Sequence, residues 1–353
     1  MSRAINILGL MSGSSLDGMD IALIRFVPDE KAYQPRIDWL AVDHFEYSQV
    51  WKDHLSRLPK LQIDAWMELN VSFSQYVADE LRALPFVREA ELIAWHGHTS
   101  AHRPDQHWTA AVGDPQVLSV AMQLPVIGEF RNKDVALGGQ GAPLVPIVDA
   151  HYFSDYQAAI NLGGIANITQ LHPTYRAFDI CGCNQVLNAI AEKLGQSMDR
   201  DGEISAAGRV DADLRSSLND WGYLKKEPPR SLDNIQVKQF YTQVLSRENL
   251  TPEDAMATAV EHITDAIAAA LSCNKPQKIL LSGGGAKNIH LVNRLRTKCP
   301  DKIIEVAPTP WLDYKEAFLM AYMAYLYEKK ENNVFSKMTG SQRDHIAGVK
   351  YTF

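Results

Sequence analysis

The sequence predicts an α/β protein of two lobes, and three observations predict it. The chain has 353 residues, beyond the roughly 250 to 300 at which a single hydrophobic core stops growing. Strand-like apolar runs alternate with stretches of helical spacing. Glycine-bearing segments follow such runs at residues 9–20 (Gly-Leu-Met-Ser-Gly-Ser-Ser-Leu-Asp-Gly-Met-Asp), 161–167 (Asn-Leu-Gly-Gly-Ile-Ala-Asn) and 281–288 (Leu-Ser-Gly-Gly-Gly-Ala-Lys-Asn), with Phe178-Asp179 between the last two. Backbone amides in such turns converge on phosphate oxygens because no Cβ blocks close approach, and hydroxyls add donors. The pattern implies a nucleotide held between two domains.

Each element can be justified in order. Ile5 to Leu10 and Ile21 to Phe26 read as strands around the first Gly/Ser turn, a hairpin rather than a strand-to-helix phosphate loop. Trp66, Leu69, Phe73, Tyr76, Val77 and Leu81 recur at helical spacing, and Leu92 to Trp95 forms a short strand ending at His96. Strands at 158–162 and 165–170 flank Gly163-Gly164, repeating the opening arrangement. Thr251-Pro252-Glu253-Asp254 starts a helix with an N-cap, proline at the first position and an acid at the third. Lys278 to Leu281 leads into the third glycine turn, with a helix over 290–296 that brings N-terminal amides near Gly284 and Gly285. A last helix runs from Tyr314 to about Tyr327, with Glu316 in its first turn.

Composition limits the function classes. The 46% hydrophobic and 22% charged fractions are those of an ordinary globular protein, and no run nears the ~18 apolar residues of a spanning helix. The Met1-Ser2-Arg3 start lacks the apolar region and cleavage site of a signal peptide, so a cytoplasmic location is expected. A net charge of −7 without a Lys/Arg cluster argues against nucleic acid and for a small ligand. Cys181, Cys183, Cys273 and Cys299 lack disulfide-framework spacing and read as free thiols.

Two glycine hairpins in successive halves fit a duplicated fold of the actin and sugar-kinase type. The motifs are then specific enough to name a family. The opening Gly-x-Met-Ser-Gly-Ser-Ser-x-Asp-Gly-x-Asp, His96-Gly97-His98-Thr99, Gly113-Asp114, Gly128-Glu129-Phe130-Arg131 and the thirteen residues 134–146 (Asp-Val-Ala-Leu-Gly-Gly-Gln-Gly-Ala-Pro-Leu-Val-Pro) occur in order. With 161–167, Asp179, Asp199 with Gly202, 283–288 and Glu316-Ala317, the chain resembles the anhydro-N-acetylmuramic acid kinases over nearly its whole length.

The resemblance implies a two-lobed actin/hexokinase-like (ribonuclease H-like) fold with its active site in the interdomain cleft. The expected lobes are residues 1–130 with 330–353, and 131–329. It also implies a cytoplasmic, ATP- and Mg2+-dependent enzyme of peptidoglycan recycling. That enzyme phosphorylates O6 of 1,6-anhydro-N-acetylmuramic acid with hydrolytic opening of the anhydro ring, and a homodimer is its expected assembly. By residue, it implies that Asp179 is the base that activates water. Gly13, Ser14, Ser15, Leu16, Asp17, Gly18, Met19 and Asp20, with Gly163, Gly164 and Asn167, belong to the cradle for the β and γ phosphates. Gly283, Gly284 and Gly285, with Asn288, lie at the α-phosphate and ribose. His98, Thr99, Arg131 and Glu316 are the sugar-binding candidates, Arg131 for its fork's match to a lactyl carboxylate. The metal ligands are left unassigned.

Two departures stand out. Where the family carries Thr-Gly-Pro-Gly-Asn after the catalytic Asp, this chain has Ile180-Cys181-Gly182-Cys183-Asn184, and the expectation is a branch that builds the turn with Cys. The acidic stretch before Glu316 is replaced by Trp311-Leu312-Asp313-Tyr314-Lys315. Rival readings are a sugar kinase with another acceptor, an ATP-binding sensor without catalysis, and a metallohydrolase built on His96, His98 and His102. Asp199-Arg200-Asp201-Gly202 reads as a turn rather than a calcium loop, and Met256, Met320 and Met323 as core.

Overall fold

The computed structural model describes residues 3–13, 16–29, 34–172, 176–228, 230–247, 249–271 and 277–353. The chain divides into two compact units, Met1–Tyr152 with Tyr314–Phe353, and Phe153–Asp313.

The first unit holds β1 (Ile5–Ser12), β2 (Gly18–Val27), β3 (Arg36–Glu46), β4 (Leu92–Trp95), β5 (His98–Arg103), β6 (Trp108–Val112) and β7 (Val126–Gly128). Its main sheet runs β3-β2-β1-β4-β7, with Val349–Tyr351 added beyond β7. β1, β2 and β3 are antiparallel, and β4 and β7 follow β1 in parallel. Both faces of the sheet are covered, which is why β1 and β2 are apolar on alternate and intervening positions alike. Leu8, Leu10, Met19, Ile21 and Leu23 pack with Phe73, Val77 and Leu81 of the helix Ile63–Arg82. On the opposite face Phe26 lies 4.8 Å from Tyr325 and 6.0 Å from Phe318, ring centre to ring centre. Gly9 is required there, because a Cβ would sit 1.9 Å from the Ala317 carbonyl oxygen.

The second unit repeats the topology with β8 (Ala158–Leu162), β9 (Ile165–Gln170), β10 (Arg176–Gly182), β11 (Gln277–Ser282) and β12 (Lys302–Val306). Its order is β10-β9-β8-β11-β12, again with three antiparallel strands followed by two parallel ones. The same five-strand order in both units is the duplicated ribonuclease H-like arrangement that the hairpins predict. Helix Pro252–Ala270 begins as expected: the Thr251 side chain accepts from the Asp254 amide, and Met256, Val260, Ile263 and Ile267 are buried.

The unit boundaries at 152/153 and 313/314 differ from the expected 130/131 and 329/330. The helix Trp311–Lys329 departs from helical geometry at Tyr314 (φ −114°, ψ 17°), and beyond it Phe318, Tyr322 and Tyr325 bury against Phe26. That packing assigns 314–329 to the first unit. Glu316 accordingly follows a kink rather than lying in the first turn of a helix beginning at 314. Among the described residues no helix is long and apolar enough to cross a membrane.

Candidate active site

Parallel strands feeding an open sheet leave ligand-binding positions at their carboxyl ends. In the first unit the candidate residues gather at the ends of β1, β4 and β7. The β1–β2 turn places Gly13, Leu16, Asp17 and Gly18; Ser14 and Ser15 lie outside the described residues. Asp17 Oδ1 accepts from the Gly18 amide at 3.0 Å, and the Asp17 carbonyl accepts from the Tyr47 amide at 3.0 Å. Met19 turns its side chain into the core, fully buried, so only its backbone belongs to the turn. Asp20 Oδ1 lies 2.7 Å from His44 Nδ1.

Below this turn runs a buried chain: Tyr47 Oη donates to Ser12 Oγ at 2.7 Å, and Ser12 Oγ lies 2.9 Å from His98 Nδ1. Burial depresses His98 to about 4, so the ring is neutral near pH 7 and Nδ1 can accept the Ser12 proton. His96 is held lower still, at about 3, by burial and by the Arg131 guanidinium. Its Nε2 accepts from Arg131 Nε at 2.7 Å, which leaves the ring proton on Nδ1, facing the Gly97 carbonyl at 3.0 Å. Arg131 Nη1 donates to the Gly141 carbonyl at 2.6 Å. Part of the guanidinium fork is thus engaged within the protein, and Nη2 makes no hydrogen bond among the described residues.

The run at 134–146 has a structural role: buried Asp134 accepts from the Gly141 amide at 2.7 Å and from the Thr339 hydroxyl at 2.6 Å, which shapes the loop that carries Gly141 to Arg131. Burial raises the Glu316 carboxyl, Asp20 and Asp17 add to that rise, and Arg131 and Lys315 oppose it. His98, Arg131 and Glu316 are therefore brought into one polar region with Asp17 and Asp20. Thr99 is exposed on β5, opposite Ala111 of β6.

In the second unit Asp179 lies where the β10–β9 register shifts between Asp179 and Cys181. A bulge of this kind re-aims a side chain out of the regular pleat. Asp179 Oδ2 accepts from the Leu232 amide at 2.8 Å, and Oδ1 makes no hydrogen bond among the described residues. Its backbone is clamped as well, by the Tyr223 hydroxyl at 2.8 Å and Arg230 Nε at 3.3 Å on the carbonyl. Burial pushes the Asp179 carboxyl up, opposed by the Leu232 amide and the Arg230 guanidinium. Asn167 is its cross-strand partner on β9.

The Gly163-Gly164 turn is held through its carbonyls: Gly164 O accepts from the Cys183 amide at 2.8 Å and Gly163 O from the Asn184 amide at 3.0 Å. A Cβ on Gly164 would meet nothing nearer than 3.9 Å. The third glycine turn is tight instead. Gly283 has φ +80°, and a Cβ on Gly285 would lie 2.7 Å from Asn184 Oδ1 and 2.8 Å from Leu162 Cβ. Asn184 Nδ2 in turn donates to the Leu162 carbonyl at 2.9 Å, so one side chain ties two glycine turns together. Asn288 caps the helix Ile289–Lys298, accepting from the Leu291 amide, while its Nδ2 donates to Asp199 Oδ2 at 3.1 Å. Both ends of its amide thus serve to shape the loop. Gly202 packs beside it, where a Cβ would lie 2.4 Å from Asn288 Oδ1.

Cys181 and Cys183 are fully buried, and neither has a positive φ. Burial raises both thiols, Cys183 to about 12, which makes them packing groups rather than nucleophiles. Among the described residues no group of three or more His, Cys, Asp or Glu could hold a metal ion, and His96 and His102 are engaged by Arg131 and the Gln140 carbonyl. The metallohydrolase reading therefore finds no ligand set among the described residues. Tyr47, Tyr223, Arg230 and Leu232 escaped sequence reasoning, since each meets its partner only through the tertiary fold and carries no local motif.

The family model for anhydro-N-acetylmuramic acid kinase matches residues 5–352. A protein of that name from Pseudomonas syringae pv. syringae (strain B728a) is 31% identical over 98% of both chains. Another, from Roseobacter denitrificans (strain ATCC 33942 / OCh 114), is 34% identical over 85% of this chain and 82% of its own. Among solved structures, component A of the Acidaminococcus fermentans (R)-2-hydroxyglutaryl-CoA dehydratase covers 92% of this chain and 98% of its own at 13% identity and TM-score 0.47, too loose a likeness to bear on chemistry. The chain belongs to the anhydro-N-acetylmuramic acid kinase family.

Proposed function

We propose that this kinase moves the γ-phosphoryl group of ATP to O6 of 1,6-anhydro-N-acetylmuramic acid while water opens the anhydro bridge. The product is N-acetylmuramic acid 6-phosphate, and the enzyme acts in cytoplasmic recycling of cell-wall sugar. One oxygen of Asp179 is held by an amide and the other is left without a partner among the described residues, and that observation carries the reading. Oδ1 takes the proton as the water oxygen bonds to C1; the C1–O6 bond breaks, O6 bonds to the γ-phosphorus, and ADP departs. A base that is partly desolvated, and so raised above the ordinary carboxylate range, takes that proton more readily.

Around the sugar, Arg131 Nη2, His98, Thr99 and Glu316 are the recognition groups. The open space above Gly164 suits close approach of phosphate oxygens to backbone amides. Magnesium suits this design, because it keeps several waters and is carried chiefly by phosphates, needing one or two carboxylates rather than a protein cage. Asp17 and Asp20 are the carboxylates of the β1–β2 hairpin that would meet it. A homodimer is the assembly we favour for the enzyme.

The test is Asp179→Asn. Turnover should fall about 10^2- to 10^4-fold with nucleotide binding nearly unchanged. In heavy-oxygen water the native enzyme should place one heavy oxygen at the anomeric carbon. Retained activity in the variant, or a product with its ring intact, would sink the reading; an intact ring would point instead to a different acceptor hydroxyl.

A further inference from the structure

Asp199 and Gly202 stand three residues apart in one turn, and both meet the start of the helix Ile289–Lys298. The Asp199 carboxylate, buried, is divided between two donors. Oδ1 accepts from the Ile204 amide at 2.8 Å, within its own loop, and Oδ2 accepts from Asn288 Nδ2 at 3.1 Å. Gly202 makes the approach possible: its φ is +83°, and a Cβ there would lie 2.4 Å from His290 Cβ as well as from Asn288 Oδ1.

Asn288 is the joint between the third glycine turn and that helix. Its backbone amide donates to the Gly285 carbonyl at 3.1 Å, and its carbonyl accepts from the Val292 amide at 3.1 Å. Its side-chain oxygen accepts from the Leu291 amide at 2.9 Å. That oxygen caps the helix only while the amide group faces one way, with Nδ2 directed away from the helix into buried surroundings. A buried donor needs an acceptor, and Asp199 Oδ2 is the one it meets. A carboxylate accepts and cannot donate, so it admits one orientation of the Asn288 amide and rejects the flipped one.

We propose that Asp199 is a positioning residue for ATP binding: by fixing the Asn288 amide it holds the joint from which Gly284 and Gly285 present their backbone to the nucleotide. The proposal rests on the reading of residues 283–285 as the turn at the α-phosphate and ribose. It gives the acid of the 199–202 turn a task within the protein, one that occupies both of its oxygens.

The experiment exchanges the two groups in the intact enzyme. In Asp199→Asn the new oxygen is taken by the Ile204 amide, which sets the new nitrogen against Asn288 Nδ2, donor against donor. In Asn288→Asp the cap survives, since Asp caps a helix as well as Asn does, but two carboxylates meet. The double exchange Asp199→Asn/Asn288→Asp restores each of these hydrogen bonds with donor and acceptor reversed. Each single variant should raise KM for ATP about 10-fold and leave KM for the sugar and kcat at saturating ATP nearly unchanged. The double exchange should return KM for ATP to within about threefold of native. Gly284→Asp, measured beside them, tests the underlying reading. A Cβ there meets nothing nearer than Asn184 Nδ2 at 3.5 Å, so a carboxylate is added with the turn intact, and nearby phosphate should raise KM for ATP.

Native KM for ATP in both single variants, with a raised value in Gly284→Asp, would overturn the positioning role alone. Native KM in Gly284→Asp would remove the reading on which it rests. A double exchange that stays as weak as the single variants, or does not fold, would also overturn the proposal, because the bond between Asp199 and Asn288 would then not be what matters. So would kcat and the affinities for both substrates falling together with the fraction of folded protein. If a single variant does not fold, the double exchange decides.

Discussion

The β1–β2 and β8–β9 hairpins occupy the same place in two sheets of the same strand order, and they are held in different ways. Around the first, side chains do the holding: Tyr47 to Ser12 to His98, and Asp20 to His44. Around the second, backbone meets backbone, with the amides of Cys183 and Asn184 on the carbonyls of Gly164 and Gly163, and at the neighbouring third turn Gly283 and Gly285 fill spaces too small for a methyl group. Hydroxyls, imidazoles and carboxylates titrate and can be tuned one group at a time. Backbone contacts do not titrate and respond to added volume. One topology therefore yields one hairpin held by side chains that carry charge and another held by its backbone.

The strongest way to break that contrast is to add carbon to the second half. Gly285→Ala forces a Cβ against Asn184 Oδ1 and Leu162, which should cost about 1 to 3 kcal/mol in thermal unfolding and raise KM for ATP. Gly164→Ala separates shape from ligand. Its Cβ meets only Gln185 Cβ at 3.9 Å, so the melting temperature should hold while KM for ATP rises about tenfold, a loss of about 1.4 kcal/mol of binding. An unchanged KM in Gly164→Ala would take this hairpin out of the nucleotide site. Normal stability in Gly285→Ala would undo the claim that the third turn has no room for a methyl group.

Acid sharpens the comparison from the other side. His96 is held at about 3, His98 at about 4 and His151 at about 4, all in the first unit, against His262 at about 4 in the second. Each folded value lies below the ordinary 6.5, so the unfolded chain binds more protons in the interval. The stability is fully present above about pH 6.5 and is lost as pH falls toward 4. Hydrogen exchange read unit by unit should show the first unit losing protection more steeply over that window. Equal losses in the two units would show that these buried rings do not decide the difference.

How much of this could be read in the chain follows from the same contrast. The hairpins were legible because apolar runs flank glycine, and the start of helix Pro252–Ala270 because its cap lies in four consecutive residues. The strand carrying Asp179 was not, since 176–182 has no clear alternation and its bulge depends on β9. The boundary at 313/314 was not legible because the helix Trp311–Lys329 declares its partner only by packing on Phe26. At the site, motifs pointed to Asp179 and the glycines. The groups that orient them, Tyr47, Tyr223 and Arg230, lie dozens of residues away in sequence and offered no spacing to read.

The smallest expected effect tests the direction of the first hairpin's side-chain network. Tyr47→Phe removes the donor to Ser12 Oγ but leaves Ser12 able to donate to His98, so it should cost about 1 kcal/mol and leave the sugar KM nearly unchanged. Ser12→Ala strips partners from the Tyr47 hydroxyl and His98 Nδ1 together, both in buried surroundings. That should cost about 1 to 3 kcal/mol, because orphaning buried polar groups is worse than losing one bond between satisfied ones. Denaturant unfolding of the two variants measures the difference directly. Equal losses would mean that His98 gains nothing from Ser12, and the first hairpin would then rest on packing and backbone contacts, as the second does.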